Sequence, residues 1–212
     1  MVCPICQKRK AKRFCPAKAT NICSVCCGTQ REVTIDCPSD CPYLVASRQH
    51  DSARRETDWS NVPFSETRIE SAFVVDHQNL LAALSYAICR YARDNRRLVD
   101  TDVVAALQAL AEAYRTLSSG IYYEKAPAYA LQRGLYDALK AALENFKKLE
   151  AQRVGATSLR DGEVRDALIF LTQLGATRSN KRPQGRAYLD FLRMQFKFEE
   201  LAKPASNVVL LS

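Results

Sequence analysis

Histidine is scarce in this chain, limited to His50 and His77. Neither is followed by Glu two residues later, which excludes the H-x-E…P-C-x-x-C pattern of zinc deaminases. The phosphate-cradling GxxxxGK[ST] loop, the dinucleotide-binding GxGxxG, the zinc-protease HExxH and the GxSxG nucleophile elbow are all missing. No apolar stretch approaches the roughly 20 residues of a membrane-spanning helix. Met1 and Val2 lead straight into Cys3, without a basic n-region, an apolar h-region or a small-residue cleavage site. These absences set the expectation of a non-enzymatic protein with no catalytic residues and no membrane partner. The expected location is cytoplasmic, or nuclear in a eukaryotic source, because the basic run 8–13 has the form of a nuclear address.

Against that background the chain is crowded with cysteine at one end. Eight of its nine cysteines, Cys3, Cys6, Cys15, Cys23, Cys26, Cys27, Cys37 and Cys41, fall within the first 41 residues. Eight thiols are what two four-cysteine zinc sites require. Cys3-Pro4-Ile5-Cys6 and Cys23-Ser24-Val25-Cys26 are CxxC knuckles, a spacing that sets two sulfurs from one turn on adjacent corners of a tetrahedron, each about 2.3 Å from zinc. A disulfide framework is disfavoured by the expected reducing compartment and by the neighbours Cys26 and Cys27, which rarely bridge each other. An iron–sulfur cluster is disfavoured by the second, interleaved set of thiols. Filling two sites in chain order would put Cys26 and Cys27 on one metal, a crowded arrangement. Interleaving separates them: Cys3, Cys6, Cys23 and one of Cys26 and Cys27 hold one zinc, and Cys15, the other of that pair, Cys37 and Cys41 hold the second. Which neighbour serves which metal stays open. Eight cysteines for two Zn²⁺ ions leave no coordination position open for catalysis, so the zinc is expected to be structural. His50, the nearest spare ligand, reads as a surface histidine.

Charge fits the same picture. The formal net charge is +8, but a zinc ion held by four thiolates carries −2, so two sites would bring the total to about +4. Lys8, Arg9, Lys10, Lys12 and Arg13, lying between Cys6 and Cys15, are expected to favour thiolates at neutral pH.

The run Cys-x2-Cys-x8-Cys followed by Ile22-Cys23-Ser24-Val25-Cys26-Cys27 resembles the cross-brace double-zinc modules of the HIT-finger, MYND and B-box type. Phe14-Cys15-Pro16 is similar to the aromatic-Cys-Pro element of HIT fingers, and Cys23 to Cys27 to their Cys-Ser-Leu-x-Cys element. The resemblance covers about 45 residues and departs from the pattern at two points. Cys15 lacks its CxxC partner, and Cys37-Pro38-Ser39-Asp40-Cys41 replaces the late His-and-Cys pair. The resemblance implies a treble-clef-like module that binds proteins and does not catalyse reactions.

Beyond Cys41 the texture changes. Pro42 suits a first helical turn, and Tyr43, Leu44, Ala46 and Ser47 form a short closing helix. The polar stretch 51–66, with Trp59, Pro63 and Phe64, reads as a linker docked by its aromatics. Thr67-Arg68-Ile69-Glu70 has the form of a capping box for a helix over 68–94 with a stripe of Phe73, His77, Leu80, Leu84, Ile88 and Tyr91. Four further stripes follow. One runs from Asp100 or Thr101 to Gly120 through Val103, Leu107, Leu110, Tyr114 and Leu117, and the next from Pro127 to Gly155 through Leu131, Leu135, Leu139, Leu143, Phe146 and Leu149. The third is introduced by Ser158 and Asp161, carries Val164, Leu168, Leu171 and Leu174, and stops before Gly175. The last begins near Pro183 with Tyr188, Phe191, Leu192 and Phe196. His77 is read as a satisfied core or groove histidine, Cys89 as a small buried or edge residue, and Glu199-Glu200 as ordinary surface carboxylates. The fold class is therefore mainly α: a zinc module at 1–52, a linker at 53–66, a bundle of about five helices at 67–202 and a tail at 203–212.

Between the last two stripes, the segment 177–186 carries Arg178, Lys181, Arg182 and Arg186 without an acidic neighbour. The expected function is a zinc-dependent adaptor that binds a protein partner, with self-association through the helical half as a further possibility. The alternative is an RNA- or DNA-binding protein that grips phosphates with Lys8, Arg9, Lys10, Lys12, Arg13, Arg178, Lys181, Arg182 and Arg186 and stacks bases on Phe14 or Tyr43.

Overall fold

A computed structural model describes residues 1–54, 56–118, 120, 123–155 and 159–196. Among these residues lie eight α-helices and one two-stranded ribbon. Strands β1 (Arg13–Cys15) and β2 (Thr20–Ile22) pair antiparallel, with Arg13 opposite Ile22 and Cys15 opposite Thr20. Ala19, left-handed at φ 49°, ends the single turn of tight helix between them. Helix α1 (Ser24–Gln30) follows the ribbon, and α2 (Pro42–Arg54) closes the cysteine-rich region. Pro42 opens α2 as expected, but the helix runs past the short segment foreseen.

The rest is helical: α3 (Ser71–Asp76), α4 (Gln78–Asp94), α5 (Asp100–Ser118), α6 (Ala130–Val154), α7 (Asp161–Arg178) and α8 (Ala187–Arg193). Helix α5 lies against both α6 and α7, α4 against α6, and α8 closes over α4, α5 and α7. The expected stripes line the shared core: Leu84 and Ile88 of α4, Leu107 and Leu110 of α5, Leu135 and Leu139 of α6, Leu168 and Leu171 of α7, and Tyr188 and Leu192 of α8. Burial of each such side chain contributes about 1.5–3 kcal/mol, so this half has a core of its own. The buried aliphatic residues of the first 41 residues are only Ile22 and Ile35, packed among cysteines. A module of that size needs metal or neighbouring structure to stay folded.

Several expected boundaries move, each for a local reason. The helix foreseen over 68–94 is broken at His77, whose backbone lies at φ −108°, ψ 21°. Its ring stacks on Phe73 with centroids 4.1 Å apart. Its Nδ1 bonds the Phe73 carbonyl at 3.0 Å, the same carbonyl that accepts the His77 N–H. A side chain competing for a helical carbonyl favours such a break. The Thr67–Glu70 capping box does not form: the N-cap is Glu70, without a side-chain cap bond, and the Thr67 N–H is used in a turn to the Phe64 carbonyl. Helix α6 starts at Ala130, after Pro127 rather than on it, and ends as expected at left-handed Gly155, φ 83°. Helix α7 continues through Gly175 to Arg178, because that glycine faces Tyr188 and serves close packing instead of a stop.

The segment expected as a linker is packed down over part of its length. Val62 and Phe64 are buried, Trp59 is exposed, and Gln173 of α7 donates to the Phe64 and Thr67 carbonyls at 2.8 and 2.9 Å. Ser158, Glu199-Glu200 and the tail 203–212 lie outside the described residues. Among the described residues no helix is long and apolar enough to cross a membrane.

Candidate metal centre

The thiols of Cys3, Cys6, Cys23 and Cys26 converge until all four sulfurs lie within 4.8 Å of one another. Two local turns make this possible. In the first, Cys3 donates its N–H to the Arg9 carbonyl, and Gln7, left-handed at φ 50°, returns its N–H to the Cys3 carbonyl, both at 2.8 Å. In the second, Cys23 is the N-cap of α1 and its sulfur accepts the Cys26 N–H at 3.4 Å. The sulfurs of Cys6 and Cys23 are 3.9 Å apart, far beyond disulfide length and close to the edge, about 3.8 Å, of a tetrahedron with 2.3 Å metal–sulfur bonds. The residues therefore fit a four-thiolate metal ion. When bound, such an ion cross-links the two turns.

The electrostatics of the set favour deprotonation at two corners. Backbone N–H groups of Lys8 and Arg9 lead in bringing the Cys6 thiol down to about 6, against its burial. Burial pushes the Cys3 thiol up, but backbone groups of Cys23, Cys6 and Ile5 outweigh it and leave the net shift downward. Burial, with hydrogen bonds to the sulfurs of Cys23, Cys6 and Cys3, holds the proton on Cys26 and pushes that thiol up to about 12. A metal ion arriving here would displace that proton. The leading influence of Lys8 and Arg9 thus comes from their amides, not from the side-chain charges that the sequence pointed to.

Cys26, not Cys27, joins the first set, which resolves the ambiguity of the adjacent pair. The four remaining thiols do not draw together as closely: among the described residues, no second group of three or more has its ligand atoms within the same distance. Cys37 lies in the electrostatic reach of Cys41, Glu32 and Cys15, and burial raises its thiol. Cys27 accepts a long contact from the Arg31 guanidinium, 3.8 Å. All nine cysteines are free thiols, Cys89 among them, buried in the helical core. His50 is exposed beside Asp51 and is not part of the four-cysteine group.

The basic residues divide. Lys8, Arg9, Lys10 and Lys12 are exposed around the first turn. Arg13 lies over the Tyr43 ring at 4.8 Å, and Arg178 over the Phe191 ring at 4.4 Å. Arg182 and Arg186 instead mount the cysteine-rich region on the bundle. Arg182 donates to the Arg31 and Gly28 carbonyls at 2.6 and 3.3 Å, capping the C-terminal end of α1. Arg186 pairs with Asp36 and donates to the Arg96 and Leu98 carbonyls. Lys181 stays exposed at the loop tip, left-handed at φ 57°.

At the centre of this seam is a residue that the sequence reading missed. Glu32 is 2 % exposed and accepts from Arg48 at 2.7 Å and Asn180 at 2.6 Å. Its carbonyl takes the Gln184 N–H at 2.9 Å. Arg48 spans onward to Asp190 of α8 at 2.6 Å, and Ser39 reaches the same carboxylate at 2.8 Å. Comparison with protein-family models, with curated proteins and with solved structures returns no match to this chain.

Proposed function

We propose that this chain is a non-enzymatic, zinc-dependent adaptor. Residues 1–52 form a cross-brace of the HIT-finger, MYND or B-box type holding two structural zinc ions, and the helical half docks a protein partner or a second copy. The observation that carries this is the closed geometry of Cys3, Cys6, Cys23 and Cys26, which supplies four thiols to one point and leaves no corner for a substrate. Zinc suits it because tetrahedral four-sulfur sets select that ion or iron–sulfur chemistry. Cys15, Cys27, Cys37 and Cys41 make the second site, supported by the electrostatic proximity of Cys37 to Cys15 and Cys41. The expected location is the cytoplasm.

Native mass spectrometry of the purified chain tests this directly. Two zinc ions per chain are expected, falling to one in Cys23→Ser and to one in Cys41→Ser. A single zinc in the unmodified chain would remove the second site, and none would overturn the proposal.

A nucleic-acid role is favoured by one observation: Lys8, Arg9, Lys10 and Lys12 are all exposed on the module that also presents Phe14, 57 % exposed. A surface of this kind tracks phosphates and stacks bases. Binding of a single-stranded RNA that weakens steeply between low and moderate salt, and is lost on reversing these four charges, would place this reading first.

A further inference from the structure

A cleft of about 680 Å³ opens where the loop carrying Asp36, Cys37 and Ser39 meets α4 and α8. Among the described residues four arginines line it, Arg93, Arg96, Arg186 and Arg193, against a single lining carboxylate, Asp36. Their commitments differ. Arg186 is engaged by Asp36 and by two carbonyls. Arg93 lies against Asp94 in an exposed pair of little worth. Arg193 reaches Asp190 only at 3.5 Å, and that carboxylate already takes closer donors from Arg48 and Ser39. Arg96 is exposed and pairs with no carboxylate among the described residues. Its backbone is nevertheless fixed: Arg186 donates to the Arg96 carbonyl at 2.8 Å, and a turn ties the Leu98 N–H to Asn95.

Like charges gathered around one concave wall repel, and the same field attracts and concentrates anions. Guanidinium forks match the oxygens of carboxylate and phosphate alike, and phosphate brings more charge and three acceptor oxygens for several guanidinium groups to share. The volume falls within the range of small-molecule sites. Among the described residues no aromatic side chain lines the cleft, so they offer nothing on which a base would stack.

We propose that this cleft binds a compact phosphate-bearing anion of the pyrophosphate or nucleoside-diphosphate class. Arg96 and Arg193 donate to its oxygens, and Arg186 is the positioning residue that holds the loop of Arg96 in place. The site is independent of the adaptor role, although Cys37 shares its wall, and zinc content must therefore be followed in every measurement.

Isothermal titration calorimetry of the full zinc-loaded chain with pyrophosphate, with ADP and with a short single-stranded RNA tests the assignment, zinc per chain being counted before and after. One pyrophosphate per chain is expected, with ADP binding within about threefold because the base adds no stacking. Arg96→Glu and Arg193→Glu should each weaken binding about tenfold or more at unchanged zinc content, while Lys125→Glu, on a distant surface, should leave it unaltered. Absence of saturation at millimolar pyrophosphate and ADP, or undiminished binding in Arg96→Glu, would overturn the proposal. Loss of zinc from both variants without anion binding in the parent chain would assign the arginines to the metal site instead. RNA that binds in the absence of any pyrophosphate or ADP binding would overturn the cleft site and favour the exposed turn at 8–12.

Discussion

Asp100 carries an unusual burden for one carboxylate. It is buried at the start of α5, accepts the N–H groups of Tyr188 and Leu189 at 3.0 and 3.1 Å, and so caps the N-terminal end of α8 from another helix. Burial pushes its carboxyl up to about 6, against the pull of those two N–H groups and of Arg48. A raised value means that the folded state holds the proton more tightly than the unfolded chain does. The stabilisation from this group is thus full below its ordinary value of 3.8 and is lost as pH rises through about 6. The shift corresponds to a difference on the order of 3 kcal/mol between the two ends of that window. Metal loss in acid acts on every variant alike, so the telling quantity is the difference in Tm between the unmodified chain and Asp100→Asn. That difference should move in favour of the unmodified chain between pH 7 and pH 4.5, and a constant difference would remove Asp100 as its source.

Among the elements, α7 and α8 owe their close approach to one missing methyl group. A Cβ on Gly175 would lie 2.7 Å from Tyr188 Cε1 and 2.9 Å from Val104 Cγ2, with Tyr188 fully buried and its hydroxyl bonded to the Leu171 carbonyl at 3.0 Å. Alanine would gain about 1 kcal/mol in helix propensity, but overpacking a rigid ring costs about 1–3 kcal/mol. Gly175→Ala should therefore destabilise the chain by up to about 2 kcal/mol in urea unfolding, and most of that loss should vanish in a Tyr188→Leu background. The same glycine shows where sequence periodicity stops being informative. The leucine stripes place α4 to α8, since apolar recurrence at three and four residues reflects burial directly. A glycine that ends a helix and one that lets a ring approach look alike until the partner is known. The knuckles at Cys3 and Cys23 were legible from spacing alone, whereas the choice of Cys26 over Cys27 depended on which way α1 turns. Nothing local marked Glu32, whose partners Asn180 and Arg186 lie 148 and 154 residues further along.

For the whole molecule, the seam joins a region with little apolar core to one with a large core. Buried ion pairs of this sort add little net stability, but removing one partner from them is expensive, about 3–5 kcal/mol. Stripping metal should free the cysteine-rich turns, loosen Glu32 and Arg48 and so reach α8 through Asp190. A chelator is expected to lower the Tm of the helical half by several degrees, followed by circular dichroism at the helical band, and Arg182→Ala should reduce that coupling. An unchanged helical Tm after complete metal removal would show that the two halves respond independently.

The seam also has a temporal side. The residues that seat the cysteine-rich region, from Asn180 to Asp190, are synthesised about 150 residues after Arg31 and Glu32. At common translation speeds of about 5–20 residues per second, that gap is roughly 8–30 s. Throughout it the Glu32 carboxylate lacks Asn180 and Arg186, and the first forty residues have no bundle to lean on. A metal ion captured by Cys3, Cys6, Cys23 and Cys26 in the newborn chain would therefore precede docking and hold the early turns in register until their seat emerges.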